Sequence, residues 1–221
     1  GDSGTGTQVQ MDVAARLAAL VPPPDVVLVI GDIIYPDGQV SGYDPFYFQP
    51  YAEVLRRATF FQAIGNHDVL TQDGQPYLDA LVLPSNNARG SELYYSFDWG
   101  NAHFTCLDSQ HWLSSDASHP GNKAFQDPWL RADLDAADAQ DWKFVFFHHP
   151  PYTNGTHTDD PTMKSEVVPL VEAGGADMVF NGHSHDYERT YLLQGGRILQ
   201  NSPNAYVKPS TQGTVYEADS G

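Results

Sequence analysis

Four short stretches of the chain carry the residue types that bind metals and move protons. They are Gly31-Asp32, Gly65-Asn66-His67-Asp68, His148-His149 and Gly182-His183-Ser184-His185. Each follows a short apolar run, at residues 25–30, 59–64, 142–147 and 177–180. The donors are carboxylate, amide, imidazole and, with Tyr35, phenol. That oxygen and nitrogen set suits zinc, iron or manganese. The single cysteine, Cys106, excludes an intramolecular disulfide and a thiolate zinc site.

Runs that are apolar on both faces read as buried parallel strands. In α/β sheets, sites form outside the carboxyl ends of such strands. Four polar endings side by side would therefore converge. A lone histidine after a strand is ordinarily a satisfied surface residue, and it is the fourfold recurrence that points to a site. His149 reads as structural, because neighbouring strand residues face opposite ways. His103, His111 and His119 read as structural or exposed.

The supporting elements follow from periodicity. Residues 7–20 have helical spacing, with Val9, Val13, Leu17 and Leu20 on one face, and Pro22-Pro23-Pro24 ends the helix. Further helices are predicted near 47–58, 127–138 and 161–173, the last closed by Gly174-Gly175. The aspartates of 127–141 read as a solvated helix face. Segments 93–98 and 102–107 alternate about Gly100-Asn101, which predicts a hairpin. Short strands follow Tyr187. Helix–strand alternation with an added hairpin gives an α/β core.

The 221 residues suit one domain, expected to be an excised piece spanning 1–221. Twenty-eight acidic residues against eleven basic give a charge of −17, which argues against nucleic acid or an anionic membrane as partner. No apolar run reaches the roughly 18 residues of a membrane span. Nothing resembles a signal peptide.

Gly1-Asp2-Ser3-Gly4, Gly31-Asp32-Ile33-Ile34-Tyr35, Gly65-Asn66-His67-Asp68, Val145-Phe146-Phe147-His148 and Gly182-His183-Ser184-His185 resemble, in order, the five motifs of the calcineurin-like metallophosphoesterases. Tyr35 and Asp186-Tyr187-Glu188-Arg189 resemble the purple acid phosphatase branch. The resemblance implies a four-layer αββα sandwich of two mixed β-sheets flanked by helices. It implies two metal ions. Asp2, Asp32, Tyr35 and His185 would hold Fe(III). Asp32 would bridge to Fe(II), Zn or Mn, completed by Asn66, His148 and His183. His67 would contact the phosphoryl oxygens, Asp68 would orient its ring, and His157 would protonate the leaving group. The branch further implies a secreted or periplasmic enzyme that hydrolyses small phosphate monoesters by attack of a metal-bound hydroxide.

Competing readings stay open. Tyr35 could be a packing tyrosine and Asp2 a loose terminal residue. The activity could be that of a phosphodiesterase or nucleotide pyrophosphatase. The chain could also be a metal-binding module without turnover.

Overall fold

The computed structural model describes residues 1–198 and the strands at 207–210 and 213–216. The elements run α1 (Gln8–Ala18), β1 (Val26–Ile30), α2 (Val40–Tyr43), α3 (Gln49–Leu55), β2 (Thr59–Ala63), α4 (Gln75–Ala80), β3 (Tyr95–Trp99), β4 (Ala102–Cys106), α5 (Lys123–Ala136), β5 (Trp142–Phe146), α6 (Val168–Ala173), β6 (Met178–Phe180), β7 (Leu193–Gln194), β8 (Arg197–Ile198), β9 (Val207–Ser210) and β10 (Gly213–Tyr216). A π-helical turn at Asp44–Phe48 joins α2 to α3, and another at Met163–Val167 leads into α6.

β1 and β2 pair in parallel. β3, β4, β5 and β6 form a mixed sheet in that order, with β3–β4 the antiparallel hairpin and the other two pairings parallel. Strands β7–β8 and β9–β10 make two further small antiparallel pairs. The expected mixed α/β architecture is present. Of the predicted stretch after Tyr187, residues 199–206, 211–212 and 217–221 lie outside the described residues.

Successive residues of β5 and its extension face opposite sides, as strand geometry requires. Phe146 enters a core with Tyr95, Cys106, Ala63, Ile64 and Tyr77. Val145 and Phe147 enter a second core, built on Leu130, Leu134, Leu170 and Val171 of α5 and α6. Aromatic stacking ties the sheets together: Phe61 of β2 lies 3.5 Å from Phe97 of β3, centroid to centroid. Sheets clamped on both sides by packed side chains hold the strand ends in fixed register.

Two helix faces differ from expectation. In α1 the buried residues are Gln10 and Ala14, whereas Val9 and Val13 are 71% and 50% exposed. The reason is polar: the Gln10 amide accepts from Gly6 N–H at 2.9 Å and donates to the Phe46 carbonyl, which rotates the helix off its apolar stripe. In α5, Asp133 turns inward rather than to solvent. It accepts bonds from Ser96 Oγ at 2.5 Å and Thr105 Oγ1 at 2.8 Å, and contacts His103 Nε2 at 3.0 Å.

Candidate metal centre

The polar endings of β1, β2, β5 and β6 meet at one place. Asp32 lies at its middle and is 1% exposed. Its Oδ1 accepts the His67 backbone N–H at 2.8 Å. Its Oδ2 accepts from Tyr35 Oη at 3.0 Å and lies 3.3 Å from His148 Nε2. Burial alone would raise this carboxyl, but the bonds from His148, His67 N–H and Tyr35 prevail and set it at about 2. A cation between these groups would act in the same direction.

Two sets of donor atoms share Asp32. On one side Tyr35 Oη is 2.9 Å from His185 Nε2, and His185 Nε2 is 3.6 Å from Asp2 Oδ1. Donor atoms of Asp2, Asp32 and His185 all lie within 4.8 Å of one another. On the other side His148 Nε2 is 3.0 Å from Asn66 Oδ1 and 3.2 Å from His183 Nδ1. Thus all seven predicted ligands, Asp2, Asp32, Tyr35, Asn66, His148, His183 and His185, are brought together.

The second set fits a cation on chemical grounds. His148 Nδ1 is 2.9 Å from the Ile30 carbonyl, so it must carry a proton. In the neutral ring Nε2 is then a lone pair, facing two oxygens and another nitrogen. Only a positive charge between them relieves that crowding. Accordingly, although burial pulls His148 down, the Asp32 carboxylate prevails and raises it toward the imidazolium. His183 goes the other way, to about 4, because it is buried and faces His148, His149 and His157. The Tyr35 phenol is raised well above its ordinary value by burial and by the Asp32 and Asp2 carboxylates. A strong Lewis acid is what it would need to ionise.

Backbone strain concentrates here. Asp2, Asp32, His183 and His185 all have positive φ, at 59°, 51°, 73° and 56°. Each such non-glycine residue costs on the order of 1–3 kcal/mol, and such residues cluster at functional sites. Gly65 is needed for close approach: a Cβ there would lie 2.3 Å from both the Asp32 amide nitrogen and Oδ1.

Asp2 is held, not loose. Its N–H donates to the Gly31 carbonyl at 3.0 Å, and the Gly4 carbonyl accepts from Tyr35 N–H at 3.0 Å. His157 is exposed, with its ring stacked 3.9 Å from His183. Thr156 Oγ1 tethers that loop to the Ser184 carbonyl at 3.0 Å.

Asp68 differs from expectation. Its carboxylate makes no bond to the His67 ring. It is fully buried and accepts the N–H groups of Ile33, Ile34 and Gly65 at 2.9, 3.2 and 2.9 Å. Burial outweighs those donors and places it at about 7. The ring of His67 is oriented by the Pro36 carbonyl, 2.5 Å from Nδ1. Asp68 is therefore a brace between the β1 and β2 endings.

Sequence reasoning missed two features. A ring nitrogen of His149 lies within 4.8 Å of those of His148 and His183. Burial and neighbouring His148 lower His149 to about 4. Separately, Asp73, His111 and His119 cluster on the loops after β2 and β4. His111 Nδ1 is 2.7 Å from Asp108 and Nε2 is 3.1 Å from Asp73. His119 Nδ1 accepts the Gly121 N–H at 3.0 Å, so its Nε2 carries the proton that faces Asp73 at 3.5 Å. This is a closed ion network, with every ring nitrogen already engaged.

The family model for calcineurin-like phosphoesterases matches residues 8–187, and the chain belongs to that family. Among its relatives, purple acid phosphatase 18 of Arabidopsis thaliana is 33% identical over 187 residues, covering 78% of this chain and 40% of that protein. Purple acid phosphatase 15 of the same plant is 29% identical over 198 residues, covering 76% and 36%. The chain thus spans about two fifths of the length of these relatives. A purple acid phosphatase from yellow lupin (Lupinus luteus) seeds shares the fold, with a TM-score of 0.71 and 19% identity over 86% of this chain and 35% of that one. So does the anchor protein of the Plasmodium inner membrane complex, with a TM-score of 0.64 and 17% identity over 83% and 64%. Among the described residues no helix is long and apolar enough to cross a membrane.

Proposed function

We propose that this chain is the catalytic part of a dinuclear-metal phosphatase of the purple acid phosphatase kind, acting on small phosphate monoesters. The observation that carries this reading is the pair of donor sets sharing Asp32. Asp2, Asp32, Tyr35 and His185 would hold Fe(III), and Asp32, Asn66, His148 and His183 would hold Fe(II), Zn or Mn. When bound, such a pair supplies Lewis-acid activation of water and neutralises phosphoryl charge.

The chain's own residues would do the rest. The Pro36 carbonyl fixes the proton of His67 on Nδ1, and His67 Nε2 remains for the substrate side. His157, stacked on His183 at the exposed rim, would give a proton to the departing alkoxide. Asp68 keeps the Asp32 and His67 loops in fixed relation through its three N–H bonds. The local positive charge would draw a phosphate into a protein of net charge −17, while the acidic exterior disfavours polyanions. Export to a secreted or periplasmic space is part of the same reading.

The deciding experiment compares 4-nitrophenyl phosphate with bis(4-nitrophenyl) phosphate on metal-loaded protein. Faster turnover of the monoester is expected. Equal or faster diester turnover would favour the phosphodiesterase reading. Two bound metals without hydrolysis of either ester would make it a binding module.

A further inference from the structure

We propose that His149 is a third substrate-contacting histidine, whose Nε2–H donates to a non-bridging phosphoryl oxygen in a tautomer fixed by Ser109. The inference rests on the phosphatase reading and narrows its substrate class.

The placement comes from strand register. Cys106 of β4 is paired with Phe146 of β5. Ser109 and His149 each lie three residues beyond that pair, on adjacent parallel strands, so they emerge side by side. Ser109 is buried, at 7% exposure. Its Oγ accepts the His149 backbone N–H at 3.1 Å and lies 2.8 Å from His149 Nδ1.

The hydroxyl proton decides the tautomer. A serine hydroxyl has one proton to donate. Among the described residues the acceptor within reach of Ser109 Oγ is His149 Nδ1. A buried hydroxyl donates where it can, because an unmade bond costs about 1–3 kcal/mol. With Oγ–H directed at Nδ1, the ring proton of neutral His149 sits on Nε2. That nitrogen then has no lone pair for a metal. It is a fixed neutral donor.

Nε2 is also the nitrogen left for a ligand. No protein group among the described residues bonds to it, and His149 is half-buried rather than sealed in the core. The His149 ring lies 5.0 Å from His148 and 4.8 Å from His183, beside the donor set built on Asp32. The ligand atoms of His148 and His183 beside it would turn their lone pairs to a cation. A group with several acceptor oxygens held by the cations would find its N–H partner here.

The chemistry favours a monoester. A phosphate monoester presents three non-bridging oxygens and a diester two. A donor at this position is of most use to the substrate with the additional oxygen. Loss of a hydrogen bond to a charged group corresponds to roughly 10- to 150-fold in affinity or rate.

The test uses metal-loaded wild type, His149→Ala, His149→Gln and Ser109→Ala. Metal per chain, steady-state kinetics on both nitrophenyl esters, and calorimetric binding of inorganic phosphate are measured. Expected for His149→Ala is unchanged metal content, at least 10-fold weaker phosphate binding and a kcat/KM loss at least 10-fold larger on the monoester than on the diester. His149→Gln, which can present an amide N–H near the Nε2 position, should recover part of the loss. Ser109→Ala should lose a smaller factor, about 3- to 5-fold, because either tautomer becomes available. A lost metal in His149→Ala would make His149 a ligand and overturn the proposal. Equal losses on the two esters, or unchanged phosphate affinity, would overturn it too. If the wild type hydrolyses neither ester, the phosphatase reading fails, and the phosphate titration of His149→Ala still decides the donor role alone.

Discussion

The backbone N–H of His183 donates to both carboxylate oxygens of Asp2, at 3.0 and 3.1 Å, across a separation of 181 residues. One carboxylate thereby fastens the first motif to the last and still turns an oxygen to within 3.6 Å of His185. Binding geometry and tertiary closure depend on the same side chain.

Asp2→Ala should therefore fail twice. Losing a bond to a charged acceptor costs about 1.5–3 kcal/mol. It would also remove one donor from the set proposed to hold the first metal. Elemental analysis should find one metal per chain where the wild type holds two, and the melting temperature should fall even in the presence of chelator. An unchanged metal count would show that Asp2 is not a ligand.

His67→Ala should separate chemistry from metal binding. The ring bonds to the Pro36 carbonyl and stacks 4.3 Å from Tyr35, but belongs to neither donor set. Metal content should stay at the wild-type value. Hydrolysis of 4-nitrophenyl phosphate should drop roughly 10²- to 10³-fold, the usual cost of removing one group that stabilises transition-state charge. Activity within a few-fold of wild type would remove His67 from the catalytic set.

Gly65→Ala probes the packing under the site. The added methyl would meet Asp32 N and Oδ1 at 2.3 Å, both in rigid backbone-linked positions. Overpacking of this kind costs about 1–3 kcal/mol. Asp32 is common to both donor sets, so both metals should bind more weakly. Isothermal titration of metal-stripped protein would show weakened affinity at two sites; weakening at one alone would argue against a shared Asp32.

Asp32, Asn66, His148 and His183 were legible in the sequence because each closely follows an apolar run, where strand geometry leaves little freedom, whereas Asp2, Tyr35 and His185 were read from the family resemblance. What was not legible depended on partners remote in sequence or on backbone atoms. The Pro36 carbonyl carries no side-chain signal, so its bond to His67 could not be read, and Asp68 stood nearest as the orienting group. The buried face of α1 was misread because the Gln10 amide, not apolar spacing, sets the helix phase. His149 read as structural because adjacent strand residues face opposite ways, and only the β4–β5 register put Ser109 beside it. Asp133 could be turned inward only by the Ser96, His103 and Thr105 groups of the neighbouring hairpin. The β-strand ends were local facts, and these were tertiary ones.

The ion network after β2 and β4 makes a pH prediction that needs no metal. His111 is 6% exposed and lies between Asp108 and Asp73. Burial opposes its charge, but the two carboxylates prevail and raise it from 6.5 to about 9. A group raised on folding binds its proton more tightly in the native state. Its stabilisation is therefore complete below about pH 6.5 and is lost as pH rises through about 9. The network latches the loop that follows His67 to the loop that follows β4. The melting temperature of metal-stripped protein should fall by roughly 3–8 °C between pH 7 and pH 10. Asp73→Asn removes one of the two carboxylates and should make that fall smaller while lowering stability at pH 7. An equal fall in variant and wild type would place the alkaline transition elsewhere, and His111 would then be a neutral packing residue.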